Sequence, residues 1–246
     1  MVDASRRDAT ARQAWQRARE LAVVTGRHAG RVVMRAPGGT PVVLAAAKHL
    51  YRRELRRLND VLAATPAAGC FWVWAGLLLG WAREGDVLSH DLDDADFAFL
   101  EADFAKVRDS VPALVNAGFL LRSVLRNNDG VLTGLFFERF GIHFDFFKLI
   151  PVQDRFRYYG YFRGVQVVFE IPAQSLEPFE LFDRRWLKAK DHDRDLTALY
   201  GDWRTPQLGW RTDRDSPAII SRELWRRAGL WHGPTTDLSE YLHPRG

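Results

Sequence analysis

Ser89-His90-Asp91-Leu92-Asp93-Asp94-Ala95-Asp96-Phe97-Ala98-Phe99 packs four aspartates into six residues and runs straight into apolar sequence. Side chains alternate across a β-strand. A strand over 95–100, entered from Asp94, therefore puts Asp94, Asp96 and Ala98 on one face and Ala95, Phe97 and Phe99 on the core face. Two carboxylates two residues apart on one face repel each other unless a cation lies between them. Mg²⁺ takes one or two protein carboxylates while keeping water and phosphate oxygens. A second stretch, Ile142-His143-Phe144-Asp145-Phe146-Phe147-Lys148-Leu149-Ile150, reads as a strand with Asp145 on the face opposite Phe144 and Phe146. An unpaired buried carboxylate costs several kcal/mol. A third place in the same metal site, on an adjacent strand, removes that conflict.

Upstream, Phe71-Trp72-Val73-Trp74-Ala75 reads as a short buried strand that breaks at Gly76, and 77–84 follows as helix. Gly76 and Gly80 permit close backbone approach, and amides at a helix N-terminus can hold a phosphate. Arg83 would add a planar guanidinium fork to it. Pro41 opens an earlier helix whose stripe is Leu44, Ala47, Tyr51, Leu55, Leu58 and Leu62, ending before Thr65-Pro66. Residues 4–24 read as another amphipathic helix. A helix is expected over 101–117. Asn127-Asn128-Asp129-Gly130 joins two strands as a hairpin, and Arg163-Gly164 joins two more. The last third reads as helical and irregular. This order argues an α/β or α+β fold with a mixed sheet and helices on one side.

The 246 residues are 47% apolar and 27% charged, which excludes a disordered, collagenous or disulfide-stapled chain. Cys70 is the lone cysteine, so neither a disulfide framework nor a cysteine zinc site is available. The longest apolar run is too short to span a bilayer, and the N-terminus has no apolar signal core; a cytoplasmic protein is the expectation. Charge is uneven. Residues 1–70 hold thirteen Lys/Arg against five Asp/Glu, a local +8, while the remainder is net −4. The basic N-terminus suggests peripheral contact with an anionic surface or nucleic acid. Lys188 and Lys190, late in the chain, are candidates for contacting a phosphate. His90 and His143 read as polar neighbours of the carboxylates.

The combination resembles the LicD/fukutin-related phosphotransferase family, which has a nucleotidyltransferase-like fold. Gly76-Leu77-Leu78-Leu79-Gly80-Trp81-Ala82-Arg83 matches the family's first block. The run Asp91 to Asp96 matches its acidic cluster, Phe144-Asp145-Phe146-Phe147 its third carboxylate, and Tyr200-Gly201-Asp202-Trp203 its late element. Ser89-His90 replaces the family's tryptophan and proline. The resemblance implies a catalytic core over 41–210, flanked by an N-terminal helix and connector (1–40) and a helical C-terminal extension (211–246). It implies Mg²⁺ or Mn²⁺ held by Asp94, Asp96 and Asp145, with Asp91 and Asp93 as alternative ligands. Arg83 is the expected charge-neutralising residue, and Gly76, Leu77, Gly80, Lys190 and Asp202 are the expected substrate contacts. The implied reaction moves a phosphocholine- or ribitol-phosphate-like group from a CDP-linked donor to a hydroxyl acceptor, such as a glycan or polymer precursor. The alternatives are a nucleotidyltransferase releasing pyrophosphate and a non-catalytic protein binding anions or nucleic acid.

Overall fold

The computed structural model describes residues 41–226. The helix expected over 4–24 and the end of the C-terminal extension lie outside them. Helix α1 (Pro41–Ala63) buries Ala47, Tyr51, Leu55, Leu58 and Leu62, the stripe its spacing predicts, while Leu44 at the same periodicity stays exposed near the first turn. Strand β1 (Phe71–Val73) leads into α2 (Ala75–Glu84), which Gly85 closes in the left-handed region, its N–H on the Trp81 carbonyl at 3.0 Å. Strand β2 (Asp94–Leu100) follows, then a 3₁₀ turn (Glu101–Asp103) and helix α3 (Phe104–Asn116).

Strands β3 (Leu120–Arg126) and β4 (Leu132–Arg139) form the first hairpin. β5 (Ile142–Val152) is the long central strand. Its first part runs parallel to β2 and antiparallel to β4, and its end pairs with β6 (Arg155–Phe162). β6 forms the second hairpin with β7 (Val165–Pro172). The result is a mixed eight-stranded sheet hinged on β5.

The last third is not simply helical and irregular. Strands β8 (Leu176–Leu181) and β9 (Arg184–Ala189) make a separate two-stranded sheet, α4 (His192–Tyr200) follows, and a one-turn α5 (Thr212–Asp215) precedes β10 (Ile219–Leu224). β10, inside the stretch read as a helical extension, pairs with β7 at the edge of the main sheet. Leu199 of α4 packs with Val167 and Phe169 of β7, so helices are not confined to one side.

Two apolar clusters result. The larger gathers α1, α2 and α3 over Ala95, Phe97, Phe99, Phe144 and Phe146. The smaller joins Trp72, Trp74 and Ala98 to Tyr158, Phe169 and Leu199 on the opposite face. Alternation in β2 therefore turns Asp94 and Asp96 away from the larger core, toward the space under β6, β7 and α4.

Candidate active site

Parallel pairing of β2 and β5 sets Asp96 opposite Asp145, and Asp94 opposite His143. One carboxylate oxygen each from Asp94, Asp96 and Asp145 lies within 4.8 Å of the others. The surroundings fix the two strands. The Tyr51 hydroxyl donates to the Asp94 carbonyl at 2.6 Å, and the His143 N–H donates to the Asp93 carbonyl at 2.8 Å. At the start of α2, Ala75 holds φ at 42°, an unusual value for a residue with a β-carbon. That turn aims the Gly76 N–H at Asp96 Oδ2, 2.9 Å away. A β-carbon on Gly76 would sit 2.9 Å from Asp91 Oδ2 and 3.0 Å from Asp96 Oδ2, so glycine is required for this approach.

Electrostatically the cluster is overloaded with negative charge. Burial, then the charges of Asp145 and Asp96, push the Asp94 carboxyl far above the usual carboxylate range. Burial and Asp96 do the same to Asp145. Burial and the Asp91 charge raise Asp96 to about 7, against the pull of the Gly76 N–H. Oδ1 of Asp94 and Oδ1 of Asp145 are buried without a hydrogen-bond partner. Three converging carboxylates, two of them with an orphaned oxygen, form a hard, anionic, all-oxygen donor set, which suits Mg²⁺ or Mn²⁺.

The cluster lines a cavity of about 470 Å³. Gly76, His90 and Asp91 share its wall, and Trp74, Phe136, Phe147, Tyr158 and Phe169 make an aromatic sleeve beyond it. Asp91 is raised by burial and the neighbouring Asp93. Asp93 itself does not line this cavity.

Other expected contacts lie elsewhere. Arg83 and Asp202 line a second chamber of about 580 Å³, which joins the first at Leu79, Leu88, His90, Tyr200 and Trp210. Leu77 points into the larger core and is 3% exposed. Gly80 serves packing, not ligand approach: a β-carbon there would meet the Asp86 carbonyl oxygen and the Leu88 nitrogen, each at 2.9 Å. Lys190 is exposed and lines neither chamber, its N–H bonded to the Ser175 carbonyl. Lys188 is buried against Glu177 and stands 5.3 Å over the Trp81 ring, a structural pair.

Sequence reasoning gave no site role to Tyr158, Tyr161 or Phe162, although all three belong to the Arg163-Gly164 hairpin it identified. Their placement depends on how β5 bends into β6. Asp195 on α4 was also unmarked. It is fully buried, with Trp74 Nε1 and Gln174 as its polar neighbours short of full hydrogen-bond geometry, and burial raises it to about 7.

Among the described residues no helix is long and apolar enough to cross a membrane. No curated protein matches the chain. A family model for the LicD/FKTN/FKRP nucleotidyltransferase domain matches residues 70–189. That interval starts one residue before β1 and ends with β9, and it contains Gly76, all four aspartates of the acidic run, and Asp145. Residues 70–189 are thus similar to the nucleotidyltransferase domain of the LicD/FKTN/FKRP family, the family that the motifs of the sequence resemble.

Proposed function

We propose that the chain transfers a phospho-alcohol group from a CDP-linked donor to a hydroxyl acceptor, with Mg²⁺ or Mn²⁺ held by Asp94, Asp96 and Asp145. One observation carries this reading: three carboxylates, two of them with a buried, unpartnered oxygen, converge in a cavity of the stretch that matches a nucleotidyltransferase domain. A divalent cation bound there neutralises charge on a diphosphate. The chain's own groups do the rest, mostly by positioning. The Gly76 N–H holds Asp96 in its orientation. The aromatic sleeve excludes water from the reacting phosphorus. Asp91, on the wall beside the cluster, receives the acceptor's proton, as a carboxyl held above its usual range suits a general base. The acceptor oxygen bonds to the phosphorus carrying the alcohol, the bond from that phosphorus to the bridging oxygen breaks, and CMP leaves.

The sleeve favours one of the two donor types the family suggests. Its faces come from Trp74, Phe136, Phe147, Tyr158 and Phe169, which suit a quaternary ammonium group better than a polyol.

The test is product identity. CDP-choline, CDP-ribitol and CTP are each incubated with the protein and Mn²⁺, with a small alcohol as the surrogate acceptor. Metal-dependent release of CMP, faster from CDP-choline and lost in Asp96→Asn, is the expected result. Pyrophosphate from CTP with no CMP from either diphosphate donor would replace this reading with nucleotidyl transfer. No turnover of any of the three would favour a binding protein.

A further inference from the structure

A cation among Asp94, Asp96 and Asp145 would satisfy the orphaned oxygens of that cluster, but not those of Asp195, which stands outside it. Asp195 lies on the buried face of α4, one turn before Leu199, which lines the cavity. It is 0% exposed, and neither carboxylate oxygen has a hydrogen-bond partner. The ionisable groups facing it are Asp191 at the cap of its own helix, Tyr200 at that helix's end and Tyr158 on β6, none of them a cation. A buried carboxylate without a counter-charge is costly to the fold, and a native chain that keeps one has a use for it.

Trp74 links that charge to the cavity. Its main chain is fixed to β2, the N–H donating to the Asp96 carbonyl at 3.1 Å. Its ring meets Phe147 at 5.4 Å and Tyr158 at 4.7 Å, both edge to face, and the three rings form part of the sleeve. Its Nε1 is buried without a full hydrogen bond, and Asp195 is its polar neighbour. A carboxylate at the N–H edge of an indole drives electron density toward the ring faces and adds its own field across a medium of low dielectric. A cation against the sleeve gains from both effects, and a neutral group of the same shape gains from neither. No Lys or Arg is among the described residues lining the cavity.

We propose that Asp195 is the buried counter-charge of the aromatic sleeve: a positioning residue, acting through Trp74, that makes the sleeve select a cationic group over a neutral one of equal shape. This deepens the choice of transferred alcohol made above and rests on it.

Choline and its neutral carbon isostere, dimethylbutanol, are the probes. Each is titrated by ligand-observed NMR into the Mg²⁺-saturated wild type, Asp195→Asn and Trp74→Phe, with each variant's fold checked by its melting curve. The titrations run at pH 8, above the value of about 7 to which burial raises Asp195. The wild type should bind choline at least tenfold more tightly than the isostere. Asp195→Asn keeps the volume and an acceptor for Trp74; it should lose at least fivefold in choline affinity, with the isostere within twofold. Trp74→Phe keeps a ring without the N–H and should lose at least threefold of the preference. The Trp74 indole N–H resonance, identified by its loss in Trp74→Phe, should lie downfield in the wild type of its place in Asp195→Asn. Equal losses for both probes would make Asp195 a packing residue and overturn the inference. No preference in the wild type, or a preference kept in Asp195→Asn, would overturn it as well. CMP release from CDP-choline decides the donor reading separately, since it is measured without reference to the isostere.

Discussion

Asp145 shows how one residue can be costly to the fold and necessary to the site. It sits on an aromatic strand, with Phe136 opposite it on β4 and Asp96 opposite it on β2. Its Oδ1 has no partner. Asp145→Asn should abolish turnover, yet leave the metal-free protein at least as stable as the wild type, because a buried like charge is removed. Melting curves in EDTA and turnover assays check both halves. Asp91→Asn should separate binding from chemistry: kcat should fall by about 10²–10⁴, the usual worth of a positioned base, while Mn²⁺ affinity stays within threefold. Asp195 adds a pH dependence of stability that is separate from that of the carboxylate cluster. With the carboxyl at about 7 in the fold and about 3.9 in an unfolded chain, the fold binds the proton more tightly. That contribution is complete below about pH 4 and disappears as pH rises through about 7. Asp195→Asn mimics the protonated state, so its advantage in melting temperature over the wild type should grow from pH 4 to pH 7 and then level off. A pH-independent difference would mean that the carboxylate is solvated or paired.

Among the elements, the strand-to-helix unit β1–α2 separates packing from chemistry within a single helix. Gly80→Ala drives a methyl into the backbone of Asp86 and Leu88 and should cost about 1–3 kcal/mol in urea unfolding, the range for overpacking. Gly76→Ala pushes instead on the carboxylates of Asp91 and Asp96. Its main effect should be loss of metal binding and turnover, read by calorimetry and CMP release. The acidic strand, its aromatic partner and both Gly-marked hairpins were legible because alternation and turn chemistry are local. The β8–β9 hairpin was not. Its turn residues Phe182 and Asp183 adopt φ of 51° and 58° without the Asn-Gly or Asp-Gly signature of such turns, and Pro178 lies within β8. β10 is an edge strand with four exposed residues, so its pairing with β7 leaves no alternating apolar signal. Arg83 follows the glycine turn in the sequence, but about two helical turns of α2 separate it from that turn and it lines the second chamber instead of the carboxylate cavity; a motif read in one dimension does not measure that distance.

Across the whole molecule, β5 joins two structural halves, and the cleft runs between them. One half is the helix-covered face of β2 and β5. The other is the β6–β7–β10 layer with α4. A ligand held by both halves stabilises the fold by mass action, about 2.7 kcal/mol at 100 times its dissociation constant. Calorimetric titration of Mn²⁺ at pH 7.5 into the wild type and Asp145→Asn tests whether Asp94, Asp96 and Asp145 form a divalent-metal site. Saturable binding to the wild type is expected, accompanied by proton release as the raised carboxyls ionise, with at least tenfold weaker binding to the variant. No binding to the wild type, or equal affinity in the two proteins, would contradict the metal site.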